Sequence, residues 1–297
     1  MLQRALTTII SLSVLLSCNP NPKDDTMLFT TAKEEIDKGE YNSAIEKLDT
    51  LIKRNNLNDS AYYYRGIAFT KAGDNDNAIA DFTHLIRLGS SLRNKSLQKR
   101  GNIYLDLSDF DKALADFDLA IESDPKDFFS FYVRGVIKTE RKVFDKNKDT
   151  TYISYEYTEN GKFYYHDLMG ALADLNQALE LNPNYIDIFV KRGKVYEHLD
   201  KFDNALADYN KAVSIDGKYF DAFLARALLY KHLQNSSKSL QDFNSAIELE
   251  PKNPFPYINR GYLKRELLND RNGACDDIKK AQTLGLTMNE DDLKDCN

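Results

Sequence analysis

An arginine followed by a small residue returns along this chain at Arg65-Gly66, Arg100-Gly101, Arg134-Gly135, Arg192-Gly193, Arg226-Ala227 and Arg260-Gly261, at steps of 35, 34, 58, 34 and 34. A second series keeps the same phase: AIEKL from Ala44, AIADF from Ala78, ALADF from Ala113, ALADL from Ala171, ALADY from Ala205, SLQDF from Ser239 and ACDDI from Ala274. A chain that repeats itself at this period builds one supersecondary unit many times and buries each copy against its neighbours. The step of 58 is one period of 34 plus an insertion of 24.

Each repeat carries two helical patterns. A large residue stands four positions before the Gly (Tyr62, Leu97, Phe131, Phe189, Phe223, Tyr257), and another often stands three after it (Phe69, Tyr104, Tyr196, Tyr230), which is one stripe of a helix. A second helix follows with small, aromatic and Ala positions, as in Ala113, Phe117, Ala120 and Ala205, Tyr209, Ala212, and stops near Pro125, Pro183, Gly217 or Pro251.

With Gly, Tyr, Ala, Phe, Ala and Pro at these offsets, the unit resembles the tetratricopeptide (TPR) repeat, over roughly residues 27–287. Repeat one has Ala32 where the Gly falls, repeat six lacks both the Gly and the leading Ala, and repeat seven has one extra residue before Ala274. The expected fold is all-α: a superhelical solenoid of about seven helix-turn-helix repeats over 27–288, with a β-hairpin insertion in repeat four at 142–166. The Arg before each Gly and the Asp of each second helix (Arg65 with Asp81, Arg100 with Asp116, Arg192 with Asp208, Arg226 with Asp242) suit a repeat-internal ion pair, worth roughly 0–1 kcal/mol if exposed.

The resemblance implies a concave groove lined by first helices, at offsets −6, −3, +1, +4 and +5 from the Gly. The groove residues so named are Ser60, Tyr63, Ile67; Lys95, Gln98, Asn102; Phe129, Tyr132, Val136; Asp187, Val190, Lys194; Asp221, Leu224, Leu228; and Phe255, Ile258, Tyr262. Their mixed, partly apolar character points to capture of a partner helix or extended peptide. The alternative is that they cover one another between adjacent repeats or meet a terminal segment of the chain. Glu140, His198, His232 and Glu266 share offset +5, yet equivalent positions are a whole helical hairpin apart, too far for a metal's ligand sphere.

Residues 152–166, YISYEYTENGKFYYH, contain the aromatics Tyr152, Tyr155, Tyr157, Phe163, Tyr164 and Tyr165 around Asn160-Gly161, a pair suited to a type I′ turn. That turn sets Thr158 opposite Phe163 and Tyr157 opposite Tyr164. The hairpin is either a binding element or a decoration packed on its own repeat. Stacked aromatics also suit sugars, so a glycan-binding accessory protein is the second functional reading.

Residues 1–17 have Arg4 and then an apolar run over 5–16, too short to span a bilayer but suited to a secretory signal. Leu15-Leu16-Ser17-Cys18 resembles the lipobox of bacterial lipoproteins, which implies acylation of Cys18 and a lipid anchor in the cell envelope, on the outer membrane. Residues 18–26 are expected as a solvated tether, and Lys23-Asp24-Asp25 looks similar to acidic surface-export signals. In an exported protein Cys275 and Cys296 can form a disulfide that pins the cap at 289–297; two free thiols are the alternative.

Lys plus Arg number 40 against 46 Asp plus Glu, a net charge of −6 with no long basic cluster, which argues against nucleic acid. Hydrolase, P-loop, zinc-protease and dinucleotide-binding signatures are missing. The functional expectation is a membrane-anchored interaction scaffold without chemistry or cofactor of its own, whose partner is an envelope protein or peptide.

Overall fold

The structure is a computed structural model and describes residues 22–140, 143–145, 155–157, 163–165, 167–288, 293 and 296. The signal segment 1–17, Cys18, Tyr152, the expected Asn160-Gly161 turn and most of the cap lie outside these residues. Contacts divide the chain into two units, Met1–Ile103 and Tyr104–Asn297.

The first unit holds α1 (Pro22–Lys38), α2 (Tyr41–Arg54), α3 (Asp59–Ala72), α4 (Asn75–Arg87) and most of α5 (Arg93–Asp106). The second continues with α6 (Phe110–Ser123), α7 (Phe128–Glu140), β1 (Val143–Asp145), β2 (Tyr155–Tyr157), β3 (Phe163–Tyr165), α8 (Leu168–Leu181), α9 (Ile186–His198), α10 (Phe202–Ile215), α11 (Phe220–His232), α12 (Ser236–Leu249), α13 (Pro254–Leu267) and α14 (Arg271–Thr283). Helices α7/α8, α9/α10, α11/α12 and α13/α14 form successive hairpins in the second unit, and α1/α2 and α3/α4 do so in the first. First helices of neighbouring hairpins also touch: α7 with α9, α9 with α11, and α11 with α13.

The second-helix pattern is the core. Ala113, Phe117 and Ala120 are fully buried, as are Ala205, Tyr209 and Ala212. A Cβ on Gly193 would sit 2.4 Å from the Tyr209 ring, so the first helix must offer a bare backbone where the large residue of its partner packs. Repeat six solves the problem differently. Ala227 stands at the close approach, and Ser239, in place of Ala, donates its hydroxyl to the Ala227 carbonyl at 2.8 Å, so the buried polar group is satisfied.

Turn chemistry repeats as well. Within a hairpin the chain reverses through one left-handed residue: Gly39, Gly73, Ser108, Asp200, Gln234 and Asn269 all have positive φ. Asp74, Asp109, Asp167, Asn235 and Asp270 then cap the second helices through the backbone N–H three residues on, each worth about 0.5–2 kcal/mol.

The Arg–Asp pairs are not exposed surface bridges. Arg65, Arg134, Arg192, Arg226 and Arg260 each donate two hydrogen bonds to a buried carboxylate, of Asp81, Asp174, Asp208, Asp242 and Asp277 in turn, at 2.6–2.9 Å. The remaining guanidinium nitrogen reaches back to the preceding second helix, at Asp49, Asp118, Asn176, Asn210 and Asn244. Each guanidinium also lies 5.3–5.9 Å from the ring four positions before the Gly. The estimate of roughly 0–1 kcal/mol for an exposed pair therefore does not apply, because the carboxylates are 4–5% exposed and each Arg ties one hairpin to the next.

Two further expectations are corrected. Residues 22–26, expected as tether, are the first turns of α1: a proline is tolerated at a helix start, Asp24 and Asp25 suit its N-terminal dipole, and Asp25 pairs with Arg54 at 2.5 Å. In the insertion, β2 and β3 pair antiparallel as Tyr155↔Tyr165, Glu156↔Tyr164 and Tyr157↔Phe163, one residue away from the expected register. This register leaves an odd number of residues between the strands, whereas a two-residue type I′ turn needs an even one. A third strand, β1, pairs with β3, giving the order β1-β3-β2.

Candidate functional site

The groove positions meet four different fates. In the first unit Tyr63 and Ile67 are half-buried around Phe82, the Tyr63 and Phe82 rings 5.9 Å apart, while Ser60 and Lys95 are exposed and Gln98 and Asn102 half-buried. Burial raises the Tyr63 hydroxyl above its ordinary pKa.

Along α7 and α9 the space is filled from within. Phe129 and Tyr132 join Phe128 and Tyr185 in one aromatic cluster, with Tyr132 and Tyr185 5.3 Å apart. The Tyr132 hydroxyl donates to Asp187 Oδ2, and Tyr219 donates to Asp187 Oδ1 at 2.9 Å. Burial, then the Asp187 carboxylate, raise both tyrosine pKa values, so these hydroxyls stay protonated donors. Phe129, Tyr132 and Asp187 are thus bound to the protein's own side chains, and Val136 beside them is half-buried.

At the C-terminal end the chain covers itself. Ile258 is 6% exposed in a cluster with Ile278, Ala281 and Cys296, against which Tyr262, Leu286, Met288 and Leu293 pack. Cys275 and Cys296 are joined by a disulfide, with Cα atoms 5.2 Å apart. Tyr262 is flanked by Lys231 at 5.4 Å and Arg265 at 5.1 Å, and Lys231 pairs with Glu266 at 3.0 Å. Ile258 is therefore core, not groove lining; Phe255 stays 55% exposed.

The seam between α9 and α11 is left open. Here Val190 forms the buried floor, 2% exposed, which corrects its assignment as an accessible contact. A cavity of about 130 Å³ is lined by Asp187, Val190, Lys191, Lys194, Asp221, Leu224, Ala225 and Leu228. A second, of about 350 Å³, is lined by Lys194, Glu197, His198, Asp200, Phe202, Ala225, Leu228 and His232. Lys194, Ala225 and Leu228 line both, so the two run together along one seam.

His198 and His232 both line the larger cavity, because the adjacent first helices α9 and α11 pack directly. His232 also lies 5.1 Å from the Phe202 ring. Among the described residues no group of three or more His, Cys, Asp or Glu side chains has the arrangement to hold a metal ion.

Glu197 and Asp200 were not singled out from sequence. Glu197 sits at offset +4, and the signal that marks it lies in its partner: Tyr209 occupies the position held by Phe82, Phe117 and Phe243 in other repeats. Tyr209 is fully buried, and its hydroxyl donates to Glu197 Oε1. A buried hydroxyl needs a partner, and here it finds one in the seam wall. Burial raises the Glu197 pKa above the ordinary carboxylate value despite this bond and despite Lys194, His198 and His232 nearby.

Comparison with known proteins follows the same periodicity. Family models described as tetratricopeptide repeat match residues 29–92 and residues 95–127, 186–219 and 220–253, and one described as TPR repeat matches 167–200. No curated protein matches the chain. A tetratricopeptide-repeat protein from Parabacteroides merdae is similar at 18% identity, over 92% of this chain and 98% of that one, with a TM-score of 0.65. The C-terminal part of a TPR repeat-containing protein from Cytophaga hutchinsonii aligns at 14% identity over 91% and 99%, TM-score 0.62. PilW, a type IV pilus biogenesis factor, aligns at 14% identity over 76% and 93%, TM-score 0.61. At these identities the likeness is one of fold.

Proposed function

The chain belongs to the tetratricopeptide-repeat family, and from that premise we propose that it is an interaction scaffold that holds a peptide of a partner protein in the α9/α11 seam. The observation that carries this reading is that the seam keeps two adjoining lined cavities between neighbouring first helices, while α7/α9 is filled by its own aromatics and α13 is covered by the C-terminal segment. Exposed Leu228 and half-buried Leu224 offer anchors to an incoming side chain. The scaffold does no chemistry; it holds one protein beside another.

In this reading Cys18 is acylated and the protein sits on the outer membrane of a bacterial envelope, with the insertion at 142–166 as an additional contact. Fluorescence anisotropy with labelled random decapeptide pools tests the seam. Binding that falls on the order of tenfold in Leu224→Asp and Leu228→Asp, with unchanged circular dichroism, supports the reading; equal binding in both variants removes it. Palmitate incorporation that survives Cys18→Ala would remove the anchor.

A further inference from the structure

We propose that the larger cavity of the seam is a socket for one lysine or arginine side chain of the bound peptide, with Glu197 recognising the charge and Asp200 beside it. This rests on the peptide-binding reading of the seam and names the chemistry of its occupant.

Glu197 is half engaged. Oε1 accepts from Tyr209, no bond to Oε2 is seen among the described residues, and Glu197 lines the cavity. The groups acting on this carboxylate are Lys194 and His198 on its own helix, Tyr209 on α10 and His232 on α11, while Asp200 in the following turn lines the same cavity. These neighbours fall short of offsetting its burial, since the proton is held more firmly than by an ordinary carboxylate. A ligand cation supplies the missing charge, and it gains more here than at an exposed acid because part of the dehydration has already been met by the fold.

The rest of the wall suits a basic side chain. Ala225 and Leu228 offer an apolar track for its methylene stem, and Phe202, packed against His232, lines the same cavity. Lys194 is exposed and stands where the two cavities meet, so its ammonium can turn to solvent or to the smaller cavity. An acidic side chain would face Glu197 and Asp200 together, and a neutral one would leave Oε2 unpaired. The socket therefore discriminates by repulsion as well as attraction.

The test uses the full chain and four labelled decapeptide pools, random except for a central lysine, arginine, norleucine or glutamate. The lysine and arginine pools should bind on the order of tenfold more tightly than the other two. That preference should vanish in Glu197→Gln, which keeps an acceptor for Tyr209, and weaken in Asp200→Asn, whose exposed turn position accepts asparagine. Equal binding of the lysine and norleucine pools, or a preference that survives Glu197→Gln, overturns the socket while leaving the seam as a peptide site. No binding by any pool overturns both.

Discussion

The Tyr209 hydroxyl donates to the Glu197 carboxylate, so a fully buried core residue of α10 and the wall of the open seam form one polar unit. Core packing and recognition meet at this bond, and its consequences reach stability as well as binding.

Burial holds the Glu197 pKa above the ordinary value of about 4.3, so the folded chain keeps this proton more firmly than the unfolded one. The stability from this group is complete below about pH 4.3 and is lost as pH rises through the folded pKa. Glu197→Gln removes that loss. Its urea midpoint, followed by circular dichroism, should fall less than the wild-type midpoint between about pH 4 and 7. Parallel profiles would mean that Glu197 titrates as a solvated acid.

Arg226→Ala strands the Asp242 carboxylate in the interior and should cost about 3–5 kcal/mol in urea unfolding, whereas Asn210→Ala, which removes the exposed end of the same ladder, should cost about 0.5–1.5 kcal/mol. Replacing both members of the buried pair, Arg226→Met with Asp242→Leu, should recover most of the larger loss. Equal costs for Arg226→Ala and Asn210→Ala would make the ladder a surface feature.

Gln234 holds φ at 56°, at the turn position that Gly73 occupies in repeat two with φ at 83°. A side chain in this region costs about 1–2 kcal/mol, partly offset in glycine by the greater freedom of the unfolded chain. Gln234→Gly should raise stability by about 0.5–1 kcal/mol, and Gly73→Ala should lower it by at least that. Thermal melts of both variants check the pair; a destabilised Gln234→Gly would show that this turn relies on its side chain.

Cys275 and Cys296 close a loop with a sequence separation of 21, for which a disulfide contributes about 3 kcal/mol. Cys296→Ser should lose that much, and a reductant should bring the wild type down to the variant without lowering the variant further. The same change should increase binding of an apolar dye, because Ile258 and Tyr262 lose their cover. A midpoint unchanged by reductant would show that packing of Leu286, Met288 and Leu293 holds the cover without the bond.

Periodicity alone carries the hairpins, their second-helix core and the close approach at Gly193, because a residue that recurs in phase meets the same local neighbours in every copy. The Arg–Asp pairing was legible for the same reason. Their burial was not, since it depends on the preceding hairpin and on the ring that covers each guanidinium.

The groove could be named position by position, but not sorted into open and closed stretches. Tyr132 and Asp187 are 55 residues apart, separated by an insertion, and nothing local says that one satisfies the other. Val190, Leu224 and Ile258 share one offset, yet the first forms a buried floor, the second borders a cavity and the third lies beneath the C-terminal segment. The chain's period settles which face of each helix a residue occupies, through 3.6-residue geometry and the demand to bury apolar surface. Which of those faces remains free is a matter of what the neighbouring hairpin and the chain end place over it, and that is decided by side-chain volume and pairing across the stack.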